Sequence, residues 1–278
     1  MLQTYLTRSL AILSVIALST HTLQAQMITA HRGASHDAPE NTLAAFRLAW
    51  EQEADAIEGD FYLTADDEIV CIHDKDTERT AGIKRMVEKS TLAELSSLDV
   101  GSWKDAHFKE ERIPCFADVY ATLPPGKQFV IELKSDSRIV PTLMRQLASL
   151  RADAKQLLII SFDADSIAKC KELRPDIRAH WLTGFKKQPD GTVRPTAEAV
   201  ASTVKRCRAD GVGLQGDITI IDQAFIGSLH KLGCREFHVW TIDKPDDATY
   251  FQSLGAMGIT TNRPAFIRKA IFAATTAP

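Results

Sequence analysis

The sequence predicts an α/β chain closed into a (β/α)8 TIM-type barrel, with a small inserted segment after the second strand. From residue 26 onward, short β-rich runs alternate with amphipathic helical stretches. Eight strands can be placed, and strands separated by helices favour a parallel sheet with right-handed crossovers. Removing the first 25 of 278 residues leaves 253, near the ~250 usual for such a barrel. An open doubly wound sheet is the alternative. No glycine-rich dinucleotide fingerprint follows the first strand, which weakens it.

The predicted strands are 27–30, 56–63, 129–133, 157–162, 177–182, 211–214, 236–242 and 257–260. The predicted helices are 41–52, 138–150, 165–173, 196–208, 223–232 and 246–254. One interval breaks the rhythm. About 55 residues separate His73 from Phe129, far more than a crossover needs. The insertion is placed at about 75–127. It holds a helix signature at 90–95, Gly101-Ser102-Trp103 and the turn Ile113-Pro114. In a barrel it would lie over the strand C-terminal ends, where sites form.

Residues 1–25 precede this domain, which is read as 26–278. Arg8 is the only charge before an apolar run at 10–18, and Ala25 offers a cleavage point. That is the layout of a signal peptide, and the run is short of the ~20 residues a membrane span needs. The chain is expected to be exported, periplasmic or secreted, with no stable membrane insertion after cleavage. No cysteine near the cleavage point supports a lipid anchor.

The net charge is -3 and the pI about 6.2, so no general field attracts nucleic acid or anionic membrane. Phosphate binding would need a local site. The five cysteines are odd in number and form no CxxC pair, which argues against a disulfide framework and a thiolate metal site. Cys71 lies in an apolar strand pattern and is expected to be buried.

Chemistry-bearing residues gather at predicted strand ends. His31-Arg32-Gly33 closes the first strand: an imidazole that can move protons near neutral pH, a guanidinium that forks onto phosphate, and a glycine for the turn. Glu58-Gly59-Asp60 closes the second. Its carboxylates, two residues apart, share one side of the strand, which suits a hard cation such as Ca2+ or Mg2+ between them. His73-Asp74 follows a strand-like run at 68–72. Glu132-Leu133-Lys134 ends the next strand and adds a third carboxylate and a point charge for phosphate. Glu40-Asn41-Thr42 either caps the first helix or orients Arg32. The set suits phosphoryl transfer to water: cations offset phosphate charge, and one imidazole activates a nucleophile while the other protonates the leaving alkoxide.

These motifs make the chain resemble the glycerophosphodiester phosphodiesterase family. ERTAG at 78–82, STLAELSSLDVGSW at 90–103 and RIP at 112–114 resemble that family's inserted small domain. ISF at 160–162, VWTID at 239–243 and ITTNRP at 259–264 resemble its later strands. The resemblance implies a (β/α)8 barrel that hydrolyses small-molecule glycerophosphodiesters to glycerol 3-phosphate and an alcohol. It implies one divalent cation, Ca2+ or Mg2+, at Glu58, Asp60 and Glu132. It implies His31 and His73 as the acid/base pair, Arg32 and Lys134 as phosphate contacts, and Trp240 as an aromatic lining the pocket. Glu40 and Asn41 are supporting residues. The family often has Asp where this chain has Asn262; the neutral amide is expected to tune the site rather than silence it.

The expected mechanism is in-line attack by water or a neighbouring substrate hydroxyl, with His31 as base and His73 as acid. The alternatives are a phosphodiesterase acting on lysophospholipids or other diesters, a glycoside hydrolase built on the strand-end carboxylates, and a non-catalytic phosphate-binding module.

Overall fold

Strand β1 (Met27–His31) is bonded on one side to β2 (Ala56–Leu63) and on the other to the last strand of the chain, and that double pairing closes the sheet. In this computed structural model, which describes residues 26–275, a hairpin strand β3 (Ile69–Cys71) follows β2. Then come β4 (Gln128–Leu133), β5 (Leu157–Ser161) and β6 (Arg178–Thr183). A two-stranded hairpin, β7 (Lys186–Lys187) and β8 (Val193–Arg194), interrupts the series. The barrel resumes with β9 (Gly211–Gln215), β10 (Glu236–Trp240) and β11 (Gly258–Thr261). Eight strands thus run parallel around a closed barrel, as the alternation predicts. The expected leader at 1–25 lies outside the described residues.

The helices are α1 (Leu43–Glu51), the short α2 (Glu78–Ala81), α3 (Leu92–Ser96) and α4 (Phe116–Tyr120), then α5 (Ile139–Ser149), α6 (Ala164–Leu173), α7 (Ala197–Cys207), α8 (Gln223–Lys231), α9 (Pro245–Ser253) and α10 (Pro264–Thr275). Their starts follow from sequence. Thr42, Asp163, Thr196 and Asp222 each accept a backbone N–H at an N-cap. On α5, Ile139, Leu143 and Leu147 repeat every four residues and are buried, one apolar stripe against the strands. The larger core lies between barrel and helices. Inside the barrel, Ala56, Val130, Leu158, Ile160 and Leu182 form a smaller cluster with Met27 and Trp240.

Sequence and structure differ in three places. The run at 68–72 yields β3, which pairs antiparallel with the last three residues of β2 and stands outside the closed barrel. Eight-residue β2 outruns its neighbours, and a tight turn with Asp67 at φ 59 folds the chain back instead of across. The β7–β8 hairpin and helix α10 were not anticipated. The β7–β8 strands are two residues each, below what alternation can show.

Residues 64–127 lie between β2 and β4 and carry β3 and α2 to α4. Val70, Ile72, Val87, Leu95, Leu98, Val100 and Ile113 give this stretch its own buried cluster. It reaches the barrel rim through Lys104, whose ammonium donates to the Ser35 carbonyl at 2.9 Å. Among the described residues no helix is long and apolar enough to cross a membrane.

Candidate functional site

The strand ends of β1, β2 and β4 sit at one level. His31 is in register with Glu58, and Asp60 with Glu132. Glu58 and Asp60 both face the barrel interior because they are two apart on one strand. Gly59 between them faces out, where a Cβ would press on the Cys71 sulfur and the Phe46 ring at 3.2 Å. Glu58, Asp60 and Glu132 are buried, and each offers an oxygen within 4.8 Å of the other two.

Two cations share this space. Arg32 Nε lies 3.1 Å from Asp60 Oδ2, and Lys134 Nζ lies 3.0 Å from Asp60 Oδ1 and 2.5 Å from Glu132 Oε1. Burial alone would push Asp60 up, but Lys134 and Arg32 outweigh it and hold its carboxyl below the usual range. Burial, then the Asp60 and Glu132 charges, push Glu58 well above that range. Burial and Asp60 push Glu132 up to about 7. Glu58 Oε1 has no hydrogen-bond partner, and Asp60 Oδ1 has only the off-axis ammonium. Three hard oxygen donors, under-neutralised and under-bonded at one point, fit a hard divalent cation.

The turn after β1 is unusual backbone. Arg32 (φ 55) and Gly33 (φ 79) are both left-handed. This aims the Arg32 backbone N–H at Glu58 Oε2, 2.9 Å away. The Glu40-Asn41-Thr42 question resolves residue by residue. Thr42 caps α1. Glu40 accepts from Arg32 Nη1 at 2.9 Å. Asn41 donates to Asp60 Oδ2 at 2.7 Å and accepts from the Asp60 and Cys71 groups at 3.2 Å. Cys71 is buried, as expected.

Both imidazoles are held by Nδ1. His31 Nδ1 bonds Asn262 Oδ1 at 2.7 Å, and the Asn262 amide is fixed by donating to Asp243 Oδ2 at 2.6 Å. His31 therefore carries its proton on Nδ1 and presents a bare Nε2. Burial, then Arg32, lower its pKa to about 4. His73 Nδ1 bonds Asp74 Oδ1 at 2.7 Å.

A cavity of about 160 Å³ is lined by His31, Arg32, Glu58, His73, Glu132 and Lys134 on one side and by Ile160, Phe162, Leu182 and Trp240 on the other. Phe162, half-exposed, meets the Trp240 ring edge-on at 5.4 Å. A larger cavity, about 600 Å³, opens at the opposite barrel end beside Met27, Arg178 and Glu236 and holds none of the predicted residues. The chemistry favours the smaller one. Of the site residues expected from sequence, His31, Arg32, Glu58, His73, Glu132, Lys134 and Trp240 line this cavity, while Asp60 and Glu40 lie behind it in contact with Arg32 and Asn41 behind it in contact with Asp60. Sequence reasoning missed Asp243, Arg79 and Phe162. Asp243 and Arg79 contact other side chains of the site and do not line the cavity, and only the position of Asn262 hinted at Asp243.

The glycerophosphoryl diester phosphodiesterase family profile matches residues 31–266. A glycerophosphodiester phosphodiesterase of Caldanaerobacter subterraneus is 32% identical over 243 residues, 86% of this chain and 94% of that one. One from Bacillus subtilis (strain 168) is 25% identical over 87% of this chain and 85% of its own length. Among solved structures, an Oleispira antarctica phosphodiesterase in complex with the product sn-glycerol-3-phosphate superposes with a TM-score of 0.76 at 25% identity, covering 88% of this chain and 96% of that one.

Proposed function

The chain belongs to the glycerophosphoryl diester phosphodiesterase family, and from that premise we propose that it hydrolyses glycerophosphodiesters to glycerol 3-phosphate and an alcohol. The observation that carries this is the convergence of three buried carboxylates, two Nδ1-anchored imidazoles, Arg32 and Lys134 on one cavity. A glycoside hydrolase needs two carboxylates and no such pair of imidazoles beside cations.

In this proposal Glu58, Asp60 and Glu132 hold one divalent cation, Ca2+ or Mg2+, which would offset phosphate charge as a Lewis acid. Arg32 and Lys134 take the non-bridging phosphate oxygens. Their contacts with Asp60 pre-position them. His31 Nε2 accepts the proton of an attacking water, or of a neighbouring substrate hydroxyl whose cyclic phosphate a water then opens to glycerol 3-phosphate, as the new O–P bond forms in line. The bond to the leaving alkoxide breaks, and His73 protonates that oxygen. His31 suits the base because Asn262 takes its Nδ1–H and leaves Nε2 free to accept a proton. The apolar wall of Ile160, Phe162, Leu182 and Trp240 faces the carbon skeleton of the substrate. We also propose, from the single charge at Arg8 and the short apolar run at 10–18, that the chain is exported and acts outside the cytoplasm.

A head-group panel of glycerophosphodiesters tests this, with glycerol 3-phosphate release measured after chelation and after Ca2+ or Mg2+ is restored. His31→Ala and His73→Ala should each lose at least about a hundredfold in kcat. Near wild-type turnover in both would overturn the role of the imidazoles. Turnover indifferent to chelator would overturn that of the cation.

A further inference from the structure

We propose that Arg79, on the short helix α2 between β2 and β4, is a positioning residue that holds the acid imidazole and the phosphate-binding guanidinium in one fixed relation. This rests on the phosphodiesterase reading above. The Arg79 guanidinium forks onto Glu40, with Nη1 2.9 Å from Oε2 and Nη2 2.8 Å from Oε1. Its Nε donates to Asp74 Oδ2 at 2.6 Å. Each of those carboxylates is also bonded to a site residue. Asp74 Oδ1 bonds His73 Nδ1 at 2.7 Å, and Glu40 Oε1 accepts from Arg32 Nη1 at 2.9 Å. A continuous chain therefore runs His73, Asp74, Arg79, Glu40, Arg32, Asp60. Planar guanidinium geometry suits this bridge, because one rigid fork meets two carboxylates at defined angles.

The platform beneath Arg79 is itself fixed. Buried Thr77, just before α2, donates its hydroxyl to the Ile83 carbonyl and accepts from the Arg85 N–H at 3.1 Å. Gly82 ends the helix in the left-handed conformation. Arg79 is 43% exposed, and exposed ion pairs contribute little to stability. Geometry is different: a shift of ~1 Å at a reacting group can cost about a hundredfold in rate. The inserted stretch thereby contributes to catalysis through Arg79, though Arg79 does not line the cavity.

The test compares kcat, KM and Tm for wild type, Arg79→Ala, Arg79→Lys, Asp74→Asn and the Arg79→Ala/Asp74→Asn pair on a glycerophosphodiester with cation present. Arg79→Ala should lose about ten- to a hundredfold in kcat with KM and Tm little changed. Arg79→Lys, which can meet one carboxylate, should recover only part. The paired variant should lose less than the product of the two single losses, because the two substitutions share the path through His73. Added methylguanidinium should restore part of the turnover of Arg79→Ala. The exposed Lys84→Ala, whose ammonium meets Glu78 and Asp76 instead, should stay at wild-type turnover. Arg79→Ala within twofold of wild type, multiplicative losses in the paired variant, or an equal loss in Lys84→Ala would each overturn the role of Arg79. An active wild type with a dead His73→Ala keeps the phosphodiesterase reading standing in those cases. A wild type inactive on every glycerophosphodiester sinks both.

Discussion

The amide of Asn262 stands between a partly buried imidazole and a carboxylate. Its Oδ1 faces His31 Nδ1 and its Nδ2 faces Asp243 Oδ2, so the negative charge lies one residue further from the imidazole than it would with Asp at 262. A neutral partner cannot offset the burial that, with Arg32, keeps His31 uncharged down to about pH 4. The double substitution Asp243→Asn/Asn262→Asp keeps the charge count and moves the charge against Nδ1. The imidazolium is then stabilised, so the base is lost at higher pH. The acid limb of kcat/KM should move up by roughly 1–3 pH units, read from a pH profile at saturating cation. An unmoved limb would show that His31 is not the base. Asn262→Asp alone sets two carboxylates in contact, and that repulsion should lower both activity and Tm. The sequence flagged position 262 as a departure, but not its consequence, because Asp243 is 19 residues away and meets it only across folded strands.

Elements that could be placed from sequence are those whose signal is local. Strands β2, β4, β5 and β6 carry apolar runs, and the helices carry amphipathic stripes, so barrel and strand-end residues were legible together. What failed depends on neighbours. The run at 69–71 is as apolar as any barrel strand, yet the turn at Asp67 sends it antiparallel, which no periodicity records. The turn after β1 is the element-level opposite, legible as His31-Arg32-Gly33 and strictly constrained. Gly33 sits at φ 79, and a Cβ there would lie 2.5 Å from the Ala45 carbonyl carbon in α1. Gly33→Ala should therefore lower stability by about 2–4 kcal/mol, combining ~1 for the left-handed backbone with ~1–3 for overpacking. Thermal unfolding would show it, with kcat reduced because Arg32 is displaced. A Tm within a degree of wild type would mean that α1 yields without strain.

At the scale of the molecule, the parallel pairing of barrel strands forces a charge conflict that a net charge of -3 conceals. Pairing β2 with β4 sets Glu58, Asp60 and Glu132 around one buried point. Relief comes either from protons or from a cation, and the two should trade with pH. Burial and the Asp60 charge push Glu132 up to about 7 from an ordinary 4.5, and burial displaces Glu58 in the same direction. A carboxyl raised on folding binds a proton that the unfolded chain has released. Its contribution to stability is full below about 4.5 and is lost as pH rises through about 7. Without cation, these two groups should therefore destabilise the barrel progressively across that window. A bound cation keeps the carboxylates ionised at every pH in the window, so its stabilisation should grow over the same range. At a hundredfold excess over Kd at neutral pH it should contribute about 2.7 kcal/mol. Tm measured with Ca2+ or Mg2+, minus Tm in chelator, should rise from pH 5 to pH 7.5. In Glu132→Gln the chelator curve should flatten and the cation increment shrink. A cation increment independent of pH, or one that survives Glu58→Gln/Glu132→Gln, would place the cation elsewhere than in this cage.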